Sequence, residues 1–199
     1  MKGIEKITYG DFPGTDAGGV VGYQVELTGE SFGSPDNLAR LITTLTDAKF
    51  RGKNRVVAFH GLFTEENQGE MFALCQTLKD YDFFLKATCD GSQYFTWFKL
   101  LDFLVTRVTN TLTWLRFASH QIIYVPVDKM VKEPKLPPID GTALYIDPKN
   151  LKKQEILDFF KNAKYRWNLR ANTSPLLRVT ITTGPEEEED GEDERLPSV

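Results

Sequence analysis

The chain is poor in the residues that usually carry redox and metal chemistry. Its 199 residues include only two cysteines, Cys75 and Cys89, and two histidines. Two cysteines cannot build a disulfide framework, complete a four-cysteine zinc site or hold an iron–sulfur cluster unaided. We therefore predict reduced, buried thiols and no bound metal or other cofactor.

Long apolar runs are also missing. No stretch of the sequence approaches the roughly 18 to 20 apolar residues that cross a bilayer, and the opening MKGIEKITYG has no apolar signal-peptide segment. Hydrophobic residues still make up 41% of the chain, which is enough for a proper core. We expect a cytoplasmic protein without a membrane partner, with a single α/β domain over residues 1–183.

Positive charge is scarce at the C-terminus. Residues 184–199 carry eight acids and one arginine, a local charge of −7, so a chain of net charge −4 has a body of +3. Such a self-repelling segment is predicted to be a disordered acidic tail. It has two interpretations: a solubility tail, or a contact in which the 186–194 run binds a basic surface on a protein partner or on the body itself. Salt would weaken either contact.

The body alternates helix and strand patterns. Ser34 before Pro35 predicts a helix start, and Leu38, Leu41, Ile42 and Leu45 follow at helical spacing. Further helices are predicted from Thr64-Glu65-Glu66 onward, over 110–119, and over 148–164 with Leu151, Ile156, Phe159, Phe160 and Ala163 inward. Strands are predicted over 18–28, 55–60, 83–88, 102–108, 121–127, 142–146 and 176–182. Three prolines make 129–141 an excursion from the core. This alternation predicts an α/β fold with a mostly parallel sheet and right-handed helical crossovers.

Candidate functional residues follow the predicted strands, because ligands of parallel α/β folds bind at the carboxyl ends of strands. His60 and Asp128 are the candidate catalytic residues, and Gly61, Asp90 and Arg107 the candidate substrate-binding residues. Each has a competing structural explanation. A lone histidine is more often a hydrogen-bonded structural residue, and Asp90 before Gly91 is typical of a turn. Asp147, before Pro148, is the predicted N-cap of a helix.

Several segments resemble a known family. Residues 9–30, YGDFPGTDAGGVVGYQVELTGE, and residues 55–91, with HGLF after a strand and TCDG after the next, are similar to the first half of small radical-SAM enzymes. The enzymes that these segments resemble are the activating enzyme of anaerobic ribonucleotide reductase and the carboxy-deazaguanine synthase group. QIIYVPVD and RWNLRANTSPLLRV resemble the closing strands of these enzymes more loosely. The resemblance implies a partial (β/α)6 barrel-like arrangement.

The residues for that family's chemistry are absent. The loop GESFGSPDN lacks the three cysteines of the CX3CX2C motif that hold the cluster. His60-Gly61-Leu62-Phe63 takes the place of the GGEP motif, so only Gly61 remains and leucine replaces the acid. We therefore expect neither an iron–sulfur cluster nor the familiar pose of SAM.

Three functional hypotheses remain. The first is a catalytically degenerate scaffold that acts as an interaction, regulatory or assembly-subunit protein. The second is an enzyme whose strand-end cleft acts on a nucleotide-like or other small anionic ligand, with His60 as acid/base and Arg107 as anion clamp. The third is single-stranded nucleic-acid binding through aromatics interleaved with cations, including Trp97, Trp114 and Trp167. The body charge of +3 disfavours the third.

Overall fold

The helices and strands alternate along most of the chain. In the computed structural model, residues 2–11, 21–50, 55–108, 120–125, 133, 142–147, 151–169 and 178–181 are described. The elements are β1 (Ile4–Asp11), β2 (Val21–Leu27), α1 (Pro35–Phe50), β3 (Val56–Gly61), α2 (Gln68–Asp80), β4 (Phe84–Cys89), a 3₁₀ helix (Thr96–Leu100), β5 (Phe103–Val108), β6 (His120–Tyr124), β7 (Thr142–Ile146), α3 (Lys153–Asn162), β8 (Trp167–Leu169) and β9 (Arg178–Ile181). Within these residues, no helix is long and apolar enough to cross a membrane.

The strands form one sheet in the order β8-β7-β6-β5-β4-β3-β2-β1-β9. Strands β2 to β8 run parallel, each beside the next along the chain. Strand β1 is antiparallel to β2, and β9 is antiparallel to β1. The predicted α/β class and mostly parallel sheet are confirmed; the antiparallel orientation of β1 and β9 was not predicted.

The described helices pack on one face of this sheet. The larger core cluster joins Leu38 and Ile42 of α1 and Leu74 of α2 to sheet residues that include Leu104. The smaller cluster joins Phe159 of α3 to residues that include Val108. Leu104 and Val108 lie four residues apart on β5, so they share a face because side chains alternate along a strand.

The opposite face of the sheet, called the polar face below, carries polar side chains among buried apolar ones. Lys86 and Thr88 on β4, and Arg107 on β5, alternate with the core residues of those strands. This face is nevertheless partly shielded from solvent, since Lys86 is 1% exposed and Val105 is fully buried. A sheet buried by helices on both sides carries apolar residues on both faces. The polar face has both buried apolar residues and polar side chains, whereas the face that contacts the helices forms the two main core clusters.

The first two helices begin in different ways. The helix predicted after Ser34 is confirmed as α1, and the Ser34 hydroxyl accepts a hydrogen bond from the Asn37 amide at 3.4 Å. The helix predicted from Thr64 begins at Gln68 instead. The Thr64 hydroxyl donates to the Gly29 carbonyl at 2.5 Å, and the Thr64 amide donates to the Asn67 side chain at 3.1 Å. These contacts fix residues 64–67 in a turn.

The second half departs further from the prediction. The helix expected over 148–164 spans only Lys153–Asn162, so Asp147 is not its N-cap. Phe159 is buried as predicted, but Phe160 is 38% exposed. The strand predicted over 121–127 ends at Tyr124. Strands β1 and β8 were missed: a register shift between Ile4 and Lys6 interrupts the alternation in β1, and β8 has only three residues.

Some predicted features lie outside the described residues. They are the helix over 110–119, Asp128 and the acidic tail 184–199. Of the proline-rich excursion 129–141, only Glu133 is described. Its carboxylate accepts hydrogen bonds from the amides of Lys164 and Tyr165 and from the indole of Trp167. Glu133 is therefore attached to the turn that leads into β8.

Gly61, at the end of β3, lies too close to β2 to accommodate a side chain. Gly61 has φ of +92°, and a Cβ placed there would clash with the backbone carbonyl oxygen of Leu27. We expect Gly61→Ala to lower the free energy of unfolding by at least about 2 kcal/mol, because both the left-handed backbone and the contact with β2 resist a side chain. Urea unfolding monitored by circular dichroism measures the loss.

Gly69 provides the control for that substitution. It lies inside α2, and a Cβ added there would have no neighbouring atom within 4 Å. Alanine has the higher helix propensity, so Gly69→Ala is expected to stabilise the protein by about 0.5–1 kcal/mol. A Gly61→Ala variant as stable as Gly69→Ala would contradict the described path of the chain at β3.

Candidate functional site

A pocket of about 430 Å³ lies at the carboxyl ends of β2 to β5. The strands place its residues there because parallel strands end at the same edge of a sheet. Glu26 comes from β2, His60 and Gly61 from β3, Thr88 and Cys89 from β4, and Arg107 from β5; loop residues complete the lining: Leu62, Phe63, Asp90, Ser92, Gln93 and Phe95. This is the edge at which the sequence predicted a cleft.

The structure brings together four of the five candidate residues. His60, Gly61, Asp90 and Arg107 all line the pocket. Asp128, the second candidate catalytic residue, lies outside the described residues. His60 is half-buried and pairs in register with Glu26 of the neighbouring strand. The pocket therefore combines a histidine, a guanidinium and two carboxylates.

Arg107 forms an ion pair across the sheet edge. Its Nη2 donates to Oδ2 of Asp147 at 3.2 Å, and the Asp147 side chain is 3% exposed while that of Arg107 is 35% exposed. A nearly buried carboxylate requires such a partner. This contact replaces the predicted N-cap role of Asp147, and it reduces the positive charge that Arg107 offers to an anionic ligand.

Asp90 belongs to a turn as well as to the pocket. Its Oδ1 accepts hydrogen bonds from the Ser92 amide at 2.9 Å and the Ser92 hydroxyl at 2.6 Å. Gly91 follows with φ of +78°. This is the arrangement expected of an aspartate–glycine turn. Asp90 can contribute its negative charge to the pocket while Oδ1 holds the loop.

Neither cysteine is an activated nucleophile. Cys75 is buried in the core and Cys89 is partly buried at the pocket. Burial raises the pKa of both thiols; for Cys89 this outweighs hydrogen bonds from the Gly91 amide and the Thr106 hydroxyl. Thiols with a raised pKa remain protonated and poorly reactive near neutral pH. Both cysteines are free, as predicted.

Sequence reasoning missed several pocket residues. Glu26 lies between the buried Val25 and Leu27. Its charge in an otherwise apolar part of the strand could have marked it as a candidate site residue. Thr88 is the next-to-last residue of β4 and faces the same side as Arg107. Phe63 and Phe95 supply an apolar side, and their ring centroids lie 6.4 Å apart. Pocket aromatics cannot be separated from core aromatics by sequence spacing alone.

The loop compared above with a cluster-binding loop is held by a carboxylate. Glu70, in the first turn of α2, accepts hydrogen bonds from the Ser31 hydroxyl at 2.5 Å, the Phe32 amide at 2.7 Å and the Gly33 amide at 3.1 Å. Partial desolvation raises the pKa of Glu70, but these hydrogen bonds outweigh it and hold the pKa below its usual range. One side chain therefore fixes the loop between β2 and α1.

The aromatic residues considered for nucleic-acid binding belong mainly to the core. Trp97 is fully buried and Trp167 is 5% exposed. Trp97 packs edge-on against Phe59, Phe63 and Phe98. A buried ring cannot stack on a nucleic-acid base. Trp114 lies outside the described residues.

Glu70→Gln tests the carboxylate contact. The pKa of Glu70 is depressed in the folded protein, so its stabilisation is complete above the unfolded-state pKa of about 4.3 and is lost as the pH falls through the folded-state pKa. We expect Glu70→Gln to cost roughly 1–2 kcal/mol at pH 7 and less under acid conditions. Urea unfolding over a pH series measures both values.

Glu65→Gln is the matched control. Glu65 is exposed, and its carboxylate accepts only a long hydrogen bond of 3.5 Å from Gln93 among the contacts described. Its substitution should leave the dependence of stability on pH unchanged. If Glu70→Gln also unfolds in parallel with the unsubstituted protein at every pH, the loop does not depend on the Glu70 charge.

Neither a candidate metal site nor a match to a known protein assigns a function to the pocket. Among the described residues, no group of three or more His, Cys, Asp or Glu side chains could hold a metal ion. Comparison of the chain with protein-family models, curated proteins and solved structures finds no match. The function must therefore be argued from the chemistry of the strand-end pocket.

Proposed function

We propose that this chain is a radical-SAM-like scaffold without iron–sulfur chemistry that binds a small polar molecule in its strand-end pocket. The observation that carries the proposal is the convergence of His60, Asp90 and Arg107 from three successive strand ends on one pocket. Convergent polar groups beside an apolar wall are the usual composition of a small-molecule site. Leu62, which lines the same pocket, is 57% exposed and keeps an apolar surface at its edge.

The strand order supports the scaffold part of the proposal. Seven parallel strands in consecutive order, with the described helices on one face, is the arrangement of a partial barrel. A (β/α)6 barrel-like curvature would place the polar face inside and the strand ends around one opening. The absence of cysteine from the loop between β2 and α1 argues against a cluster at that opening.

The charges of the pocket refine the ligand class. Glu26 and Asp90 add two carboxylates, and Asp147 offsets Arg107. These charges favour a ligand with hydrogen-bond donors over the anionic ligand first expected. Histidine titrates near neutral pH, so His60 is the candidate group for moving a proton on a bound molecule.

Native mass spectrometry of the full chain tests this proposal. Gently purified protein is expected to carry a small molecule that is released on unfolding. His60→Asn should lower its occupancy at least about fivefold, the effect of losing roughly 1 kcal/mol of binding. The double variant R107M/D147L should do the same, and it removes the ion pair without leaving a buried carboxylate unpaired.

Arg40→Met serves as the control, since Arg40 is exposed on α1 and does not line the pocket. The fraction of Arg40→Met protein that carries the bound molecule should equal that of the unsubstituted protein. If His60→Asn and R107M/D147L carry as much bound molecule as the unsubstituted protein, the molecule binds outside the pocket and the proposed function is wrong. A protein purified without any bound molecule would count against it as well.

A second candidate, an interaction or assembly-subunit protein, is favoured by the surface of α3. Leu157 is 52% exposed and Phe160 is 38% exposed, and three-residue spacing places them on one side of the helix. We propose a cytoplasmic partner with a basic surface, bound by this side of α3 and by the acidic run 186–194. The partner would meet apolar and negative surfaces on the same chain.

Chains lacking residues 184–199 test the second candidate. A partner that copurifies with the full chain at low salt should be lost on this deletion, and on replacement of the eight acids by their amides at unchanged length. Raising the salt concentration should release it from the full chain, because screening weakens contacts between exposed charges. Retention by the amide variant would show that the tail charge does not bind the partner.

A further inference from the structure

Two polar residues of the pocket, Thr88 and Arg107, lie on the same face of adjacent strands. Thr88 on β4 pairs in register with Val105 on β5, and Arg107 lies two residues beyond Val105. Thr88, Val105 and Arg107 therefore share the polar face of the sheet, on adjacent strands. Thr88 and Arg107 also line the same pocket.

Both side chains carry a buried atom that lacks a hydrogen bond. In the part of the chain that the structure describes, Oγ1 of Thr88 and Nε of Arg107 are buried and have no hydrogen-bond partner. Such an atom costs about 1–3 kcal/mol, and native proteins contain few of them. Two such atoms on neighbouring strands of one pocket favour a ligand in which one atom forms a hydrogen bond with each of them.

The chemistry of the two atoms defines that ligand atom. An arginine Nε can only donate a hydrogen bond, and a threonine hydroxyl can donate as well. We infer that Thr88 and Arg107 form a subsite for an oxygen of the ligand that accepts both hydrogen bonds. This inference rests on the proposed function and assigns the polar group of its ligand.

The surrounding charges indicate that this oxygen is neutral. The guanidinium of Arg107 already pairs with Asp147 at 3.2 Å. Glu26 and Asp90 place two further carboxylates on the same pocket. A carboxylate or phosphate ligand would meet these negative charges, whereas a carbonyl oxygen gains the two hydrogen bonds without that repulsion.

The apolar residues that line the pocket define the rest of the ligand. Leu62, Phe63 and Phe95 line the pocket, and apolar walls favour an apolar or planar ligand body. The subsite therefore selects an uncharged, carbonyl-bearing molecule with an apolar body. Hydrogen-bond donors on such a molecule would suit Glu26 and Asp90.

Thr88→Val in the ligand-free full chain gives the first test. Valine has nearly the shape of threonine, and it removes a hydroxyl that has no partner, so the midpoint of thermal unfolding should stay the same or rise. Thr46→Val is the matched control: the fully buried Thr46 hydroxyl donates to the Ile42 carbonyl at 2.8 Å. Its loss should lower the midpoint by about 2–4 °C. A similar fall in Thr88→Val would show an internal partner for Thr88 and overturn the subsite.

Binding of benzamide and benzoate by the same protein gives the second test. The two probes share an apolar ring and differ in carrying a neutral carbonyl or a carboxylate. Ligand-observed NMR with millimolar probe should show benzamide bound at least about fivefold more tightly than benzoate, and weakened about fivefold by Thr88→Val. Tighter binding of benzoate, no binding of benzamide, or no effect of Thr88→Val would overturn the assignment.

The subsite and the proposed function fail separately. A copurified molecule that depends on His60 but not on Thr88 leaves the proposed function in place and removes the subsite. Loss of the proposed function appears instead as equal occupancy in His60→Asn and the unsubstituted protein. The stability of ligand-free Thr88→Val is measured without any ligand, so it tests the subsite in either case.

Discussion

The burial of one sheet face against α1, α2 and α3 is the constraint on which the rest of the structure depends. Consecutive parallel strands place the described helices on the same side, where Leu104 and Val108 of β5 join the two core clusters. The alternate residues of these strands must then form the other face. That face carries Lys86, Thr88 and Arg107, so these polar side chains lie on the side of β4 and β5 that faces away from the helices.

Charged groups organise the edge where the strands end. Glu70 holds the loop between β2 and α1 through three hydrogen bonds, and charge-assisted bonds of this kind are stronger than neutral ones. Arg107 and Asp147 tie β5 to the end of β7, across β6. These contacts connect segments at the carboxyl edge of the sheet through two carboxylates and one guanidinium. If the chain is the radical-SAM-like scaffold proposed above, Glu70 orders the loop that corresponds to the cluster-binding loop.

The sequence predicted those elements whose signal is local. Ser34 and Pro35 marked the start of α1, and short apolar runs marked β3, β4 and β5 within one or two residues. His60, Gly61, Asp90 and Arg107 were found because strand ends meet at one edge. The failures came from interactions between distant segments. Thr64 bonds to Gly29, and Asp147 pairs with Arg107, so neither serves as the helix cap that its neighbours suggest.

Glu26 and Thr88 escaped prediction for a related reason. Each is one polar residue in a strand, and only the register of the sheet shows that both face the pocket. The lack of a hydrogen-bond partner for Thr88 Oγ1 and Arg107 Nε among the described residues could not be anticipated either, because it depends on side-chain positions. Once a strand is known, the alternation of its side chains predicts which residues share a face. Which side chains meet at the strand ends can be seen only in the assembled sheet.

A high-resolution crystal structure of the protein, purified gently and without added ligands, tests the central claim most directly. We predict a small molecule in the strand-end pocket, in contact with His60 and with an oxygen bound by both Thr88 and Arg107. A pocket filled by the chain's own side chains, or a molecule bound elsewhere with these residues satisfied internally, would contradict this claim.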